Sequence, residues 1–317
     1  MDVEIKAVVD AINSISAANT LKDYILPLAI VLIGGFFAHF SSAYLRYLDA
    51  QKEKLDIAND WILGLQQAFG SLMAIKQNYI NKLTQAPRQR AGALPQMITS
   101  SKLLDLKMNK LSFVVQSKDD FLEAINIHMS PAYISALQSN YNLLINTYEK
   151  RNQIAEQIIT ILGRHYPTRG FQLDIDLEEI YKVVSPSEFL GYIQLTEQVI
   201  KSTDELLIAI HNFLCEFPDI CRYAIDITRV KHYRGIIEWH YDGMDLLEKS
   251  IPVSYSALAE LFMVDEDQAR GKFFSGYEDI EPIEKTTEIL RNPSVNSSIE
   301  KYIKDEAIKN HHYYWWR

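Results

Sequence analysis

His211, Cys215 and Cys221 come first, because imidazoles and thiolates bind zinc. They stand as H-x3-C-x5-C. Structural zinc sites commonly set two cysteines two to four residues apart and use four ligands. A fourth ligand, His232 for instance, has to be brought in by folding. Two cysteines in 317 residues make no disulfide framework, and buried apolar thiols are the plainer reading. Glu238, His240 and Asp242 form a second constellation, alternating with Trp239 and Tyr241. On a strand the three polar groups share a face and can hold a metal. On a helix, which the surrounding sequence favours, only Glu238 and Asp242 are neighbours. Arg222, Arg229, Lys231 and Arg234, with His232, Tyr223 and Tyr233, form a basic cluster suited to a phosphate, a nucleotide or lipid head groups. Pairing with the protein's own carboxylates is the plainer alternative. These four cations are the candidate ligand-binding residues. No P-loop, dinucleotide-binding, zinc-protease or nucleophile-elbow motif occurs. No catalytic residue, metal or cofactor is therefore expected.

The elements that position these groups are organised around Tyr24–Leu45, which contains no Asp, Glu, Lys or Arg. As a helix, roughly 22 residues at about 1.5 Å each cover about 33 Å, the thickness of a bilayer's hydrocarbon core. Thr20 and Asp23 have capping spacing, and Pro27 lies near the start, where a missing N–H costs least. Tyr24 and Tyr44 bracket the span as interfacial aromatics do, and Ile33, Gly34, Gly35 and Phe36 lie inside it. Lys6 and Lys22 precede it; Arg46, Lys52 and Lys54 follow it closely. Positive-inside counting then puts the C-terminal side in the cytoplasm. The expectation is a single-pass protein of a bacterial inner membrane, with its N-terminus outside.

After the span, Leu48, Leu55, Ile62 and Phe69 recur every seven residues, with Ala58, Leu65 and Leu72 between them. This heptad-type seam can join protomers or pack against the protein's own helices. It is the candidate assembly seam, and a homo-oligomer or a protein partner follows from it. Thr84–Thr99 reads as a loop, from Pro87, Gly92 and Pro95. Ser130-Pro131 and Ser185-Pro186 read as helix starts, and Leu177–Val184 as a short helix. Pro218 reads as the start of a further helix through Ile237, and Ser297 as the opening of a last one. The tail ends His311-His312-Tyr313-Tyr314-Trp315-Trp316-Arg317, suited to docking on a partner, a membrane surface or its own bundle.

The fold class expected is all-α: one N-terminal transmembrane helix continuing into a cytosolic helical bundle. The divisions are a short amphipathic segment (1–23), the span (24–46), a stalk or first bundle helix (47–86) and the body (97–317). A net charge of −9 argues against a general binder of nucleic acid or of anionic membranes, and the apolar span makes the lipid bilayer a partner. Tyr255–Lys272 resembles a helix-turn-helix, with Leu258, Ala259, Phe262 and Val264 where that family packs its helices. Met263 replaces the turn glycine, and Asp265, Glu266 and Asp267 open the would-be recognition helix, where they repel phosphates. A helical hairpin without DNA binding is expected. The layout as a whole resembles membrane proteins of bacterial mobile elements and phage-defence loci. That resemblance implies a sensor, scaffold or membrane effector. A ligand-binding sensor or enzyme using the 222–242 region is the alternative.

Overall fold

A single helix, α1 (Leu26–Gln77), runs through 52 residues, about 78 Å at about 1.5 Å per residue. It has two halves of opposite character. From Pro27 to Ala50 nearly every side chain is exposed, including Leu28, Ile33, Phe36 and Phe40. From Gln51 onward one face is buried. The computed structural model describes residues 26–96, 102–115, 127–166, 175–241, 243–273 and 280–283, with six more between 6 and 14. Tyr24, most of the 1–23 segment, Asp242, the Ser297 helix and the aromatic tail lie outside the described residues.

Among the described residues the regular structure is helical, without strands. After α1 come α2 (Pro87–Ala93), α3 (Pro131–His165), α4 (Leu177–Val183), α5 (Pro186–Ala224), α6 (Ile227–Val230), α7 (Tyr255–Phe262) and α8 (Glu266–Lys272). Proline stands at the first turn of α2, α3 and α5, where its fixed φ suits a helix and its missing N–H has no partner to lose. The stretch read as a loop from its prolines thus contains α2.

α5 is the post around which the rest is built. Residues 203–215 are buried on every side, so this helix is enclosed rather than amphipathic there. α1 and α3 both pack along it. One core joins the second half of α1 to α3 and to the C-terminal half of α5. A second joins the end of α3 and the start of α5 to α4, α7 and α8. α1 crosses the expected 46–47 boundary without a break and enters the same core as the body.

Leu55, Ala58, Ile62, Leu65, Phe69 and Leu72 are all buried inside this chain, and Leu48 is half-buried. The heptad face from Leu55 to Leu72 therefore packs into the protein's own core. A stripe with period 3.5 packs equally well on a helix of its own chain, which is the second of the two uses expected of it.

Pro218 does not start a helix. It lies inside α5, which runs on to Ala224. The lost hydrogen bond to the carbonyl of residue 214 is tolerated where Phe213, Phe217 and Cys221 hold the helix by burial. Gly163 also lies inside a helix, α3.

The α7–α8 hairpin matches the expected pair of helices, with Leu258 and Ala259 buried. Ser254 caps α7 by accepting from the Ala257 amide, and Asp265 caps α8 by accepting from Gln268. Between them Met263 takes a left-handed conformation, φ 53°, with its side chain 93% exposed. Its amide and that of Val264 close the end of α7 on the carbonyls of Glu260 and Ala259. Met263→Gly removes a strained β-carbon and loses no packing. It is expected to stabilise the body by about 1 kcal/mol, read as a higher denaturation midpoint.

Candidate functional site

The 222–242 region lies against α1 where that helix changes from exposed to buried. α5 ends at Ala224, the Ile225 amide closes on the carbonyl of Cys221, and Ile225 is buried. The chain then makes the single turn α6, turns again over 231–233 and continues without helix or strand to Tyr241. One stripe of α1 receives it. Tyr47 donates through its hydroxyl to Asp226 at 3.0 Å, and Gln51 Oε1 accepts from the Asp226 amide at 3.0 Å. Further along, Asn59 Nδ2 donates to the carbonyl of Gly235 at 3.0 Å, and Asn59 Oδ1 accepts from the Ile237 amide at 2.9 Å. The Asn59 side chain thereby satisfies a backbone donor and a backbone acceptor of this irregular stretch.

The helix expected through Ile237 is therefore absent, and a two-residue period replaces it. Ile237, Trp239 and Tyr241 turn inward while Glu238 and His240 face solvent. Phe69 receives the aromatic pair edge-on, with both ring centroids 5.0 Å from its own. Trp239 Nε1 donates to His211 Nδ1 at 3.2 Å, and His211 Nε2 lies 3.1 Å from the carbonyl of Ile283. An indole N–H only donates and a carbonyl only accepts, so the His211 ring is neutral with its proton on Nε2.

The four candidate cations are brought to one end of the body. Each arginine meets a carboxylate of the chain. Arg222 pairs with Asp219 and, at 2.5 Å, with Glu238. Arg229 pairs with Asp226 at 3.1 Å, and Arg234 with Asp56 at 3.2 Å. Lys231 is exposed and forms no ion pair with a described residue. The Asp226 carboxyl is held below the usual carboxylate range. Burial pushes it up, but hydrogen bonds from Thr228 and Tyr47, an amide bond at Arg229 and the Arg229 charge outweigh that.

The H-x3-C-x5-C set does not gather a metal site among the described residues. His211 Nε2 and Cys215 Sγ are 3.5 Å apart, but His232 is exposed elsewhere. No group of three or more His, Cys, Asp or Glu suited to a metal stands together among the described residues. Burial pushes the Cys221 thiol up to about 12, against the opposing charge of Arg222, so it stays protonated and unreactive at neutral pH. Glu238 and His240 do share a face, 3.4 Å apart, as a solvent-exposed pair.

The most ordered polar chemistry is one the sequence reading missed. Glu197 and Asp204 sit seven residues apart on one face of α5, both nearly buried, and each holds a buried cation. Arg90 donates to both Glu197 oxygens at 2.8 and 2.9 Å, and also to the carbonyls of Thr84 and Ile251. Lys76 reaches Asp204 at 2.7 Å and the carbonyl of Glu248 at 2.5 Å. Asp204 also accepts from the amide and hydroxyl of Ser250. A cavity of about 290 Å³ opens beside these pairs, lined by Lys201, Tyr255 and Phe273 among others. The pairs tie the 84 and 248–251 loops to α5, a structural duty that accounts for their burial. The available signal was the pair of acids seven apart beside the apolar run Leu206–Ile210.

No protein-family model, curated protein or solved structure matches the chain.

Proposed function

We propose that the protein is a single-pass membrane protein whose helical body sits in the cytoplasm against the bilayer and works by binding, not by catalysis. The observation that carries this reading is the first half of α1. It contains an 18-residue window of mean hydropathy 1.8, none of it buried against the body, although the same helix forms the core from Gln51 onward. A core helix of a soluble protein is covered by its own fold, whereas this one offers apolar surface on all sides. Orientation rests on Arg46, Lys52 and Lys54 beyond the span. With the seam used internally, assembly with a partner falls to other surfaces of the body. Service as a sensor, scaffold or membrane effector of bacterial phage defence is the role that the layout's resemblance adds.

The test uses the full chain and a version lacking residues 1–46. The full chain is expected to stay in the membrane pellet after alkaline extraction, and the shortened body to be soluble with its helicity intact. Both versions are then challenged with phage in cells. The defence role requires protection by the full chain and its loss on shortening. A folded body that still pellets sinks the single-anchor reading, and equal plaque counts with and without the protein sink the defence role alone.

A further inference from the structure

We propose that the turn from Arg229 to Arg234 is a docking surface for the head groups of anionic glycerophospholipids. The inference rests on the membrane reading and names what the body touches there.

Residues 227–237 contain no Asp or Glu but include Arg229, Lys231, His232 and Arg234, on a chain of net charge −9. The fold carries this turn to the place where α1 leaves its exposed apolar run. The Arg229 guanidinium lies over the ring of Tyr44, 5.8 Å from its centroid, and Tyr44 is 48% exposed. Tyr47, one turn on, is bound to the Asp226 that precedes the turn. Tyr233 holds Asp56 by a 2.8 Å hydrogen bond, with Arg234 over its ring at 4.9 Å. An apolar helix, a ring of tyrosines and then a patch of cations is the order that hydrocarbon, interface and head-group phosphates require.

The cations are available. The side chains of Arg229 and Arg234 are 48% and 54% exposed, and Lys231 is exposed without an ion pair to a described residue. Their partners Asp226 and Asp56 are half-buried, but the guanidinium side of each pair faces solvent and keeps surface for another anion. Arginine binds a phosphate through two parallel N–H donors, while lysine contributes a point charge. The acidic body as a whole is repelled by an anionic surface, so this patch is the part that can approach one.

The experiment uses the full chain in lipid nanodiscs, with His232→Cys carrying a fluorophore. Cys215 and Cys221 are buried and do not compete for the label. Quenching by a head-group nitroxide lipid is compared in phosphatidylcholine discs with and without phosphatidylglycerol. The expected result is quenching roughly two-fold stronger with phosphatidylglycerol, falling to the phosphatidylcholine level in high salt and in Lys231→Glu. Equal quenching in both lipids, or no response to salt and to Lys231→Glu, in protein that co-elutes with the discs overturns the docking proposal and leaves the anchor standing. Failure to co-elute with discs of either composition overturns both.

Discussion

Leu55→Asp with Ile62→Asp is expected to unfold the body and leave the protein in the membrane. Both side chains are fully buried in the core shared by α1, α3 and α5. Each replacement forfeits about 1.5–3 kcal/mol of apolar burial. Each also places a carboxylate in an apolar core, which costs several kcal/mol more or forces local opening. Together they exceed roughly 5 kcal/mol, against a total stability of about 5–15 kcal/mol for a typical domain. The readouts are loss of the cooperative melt and a red-shift of Trp61 emission, since Trp61 is buried on the same helix. An unchanged melt accompanied by loss of self-association would instead return this face to contacts between copies.

The second large effect lies at Arg151, which is fully buried in the middle of α3. It donates to the carbonyls of Ala91, Leu94 and Pro95, to the hydroxyl of Tyr192 and, through Nε, to Thr196. Three of these acceptors are carbonyls at or just beyond the end of α2, the negative end of its dipole. The charge is thus spread over backbone oxygens. Burial lowers the Arg151 pKa from its ordinary value, and Tyr192 and Tyr148 partly oppose that. Arg151→Ala strands those oxygens in the interior and is expected to cost about 3–5 kcal/mol. Arg151→Lys recovers little, because one ammonium cannot reach acceptors that a guanidinium fork spans. Hydrogen exchange resolves the cause: amides of 86–95 should lose protection before those of α5. An unfolding free energy for Arg151→Ala within about 1 kcal/mol of the parent would mean that water takes over the carbonyls.

Much of the fold was legible because it rests on local signals. The apolar run, the prolines opening α3 and α5, the short helix at Leu177 and the capped hairpin at Ser254 each depend on neighbours in sequence. The failures have a common physical origin in tertiary context. Pro218 breaks an isolated helix but not one enclosed by its own protein. The heptad stripe from Leu55 to Leu72 encodes a face and a period, not which helix covers it. The alternation of Ile237, Trp239 and Tyr241 with Glu238 and His240 was present in the sequence. Nothing local revealed that Asn59, 176 residues earlier, would satisfy the backbone at Gly235. Of the candidate site, the basic cluster was legible by composition. Its pairing with Asp56 and its place beside Tyr44 were not.

The unbroken course of α1 has a mechanical consequence. From Phe36 to Leu63 it contains neither glycine nor proline, the residues at which helices usually bend. Successive residues advance by about 100°, so the exposed half and the core half share one rotational phase. A rotation or tilt imposed at Phe36 finds no hinge before Leu55 and arrives as torque on α5, through the face that holds the two helices together. Adding one residue near Ala50 would turn the two halves about 100° out of phase. Adding seven would lengthen the lever by about 10 Å and bring them back to within about 20°.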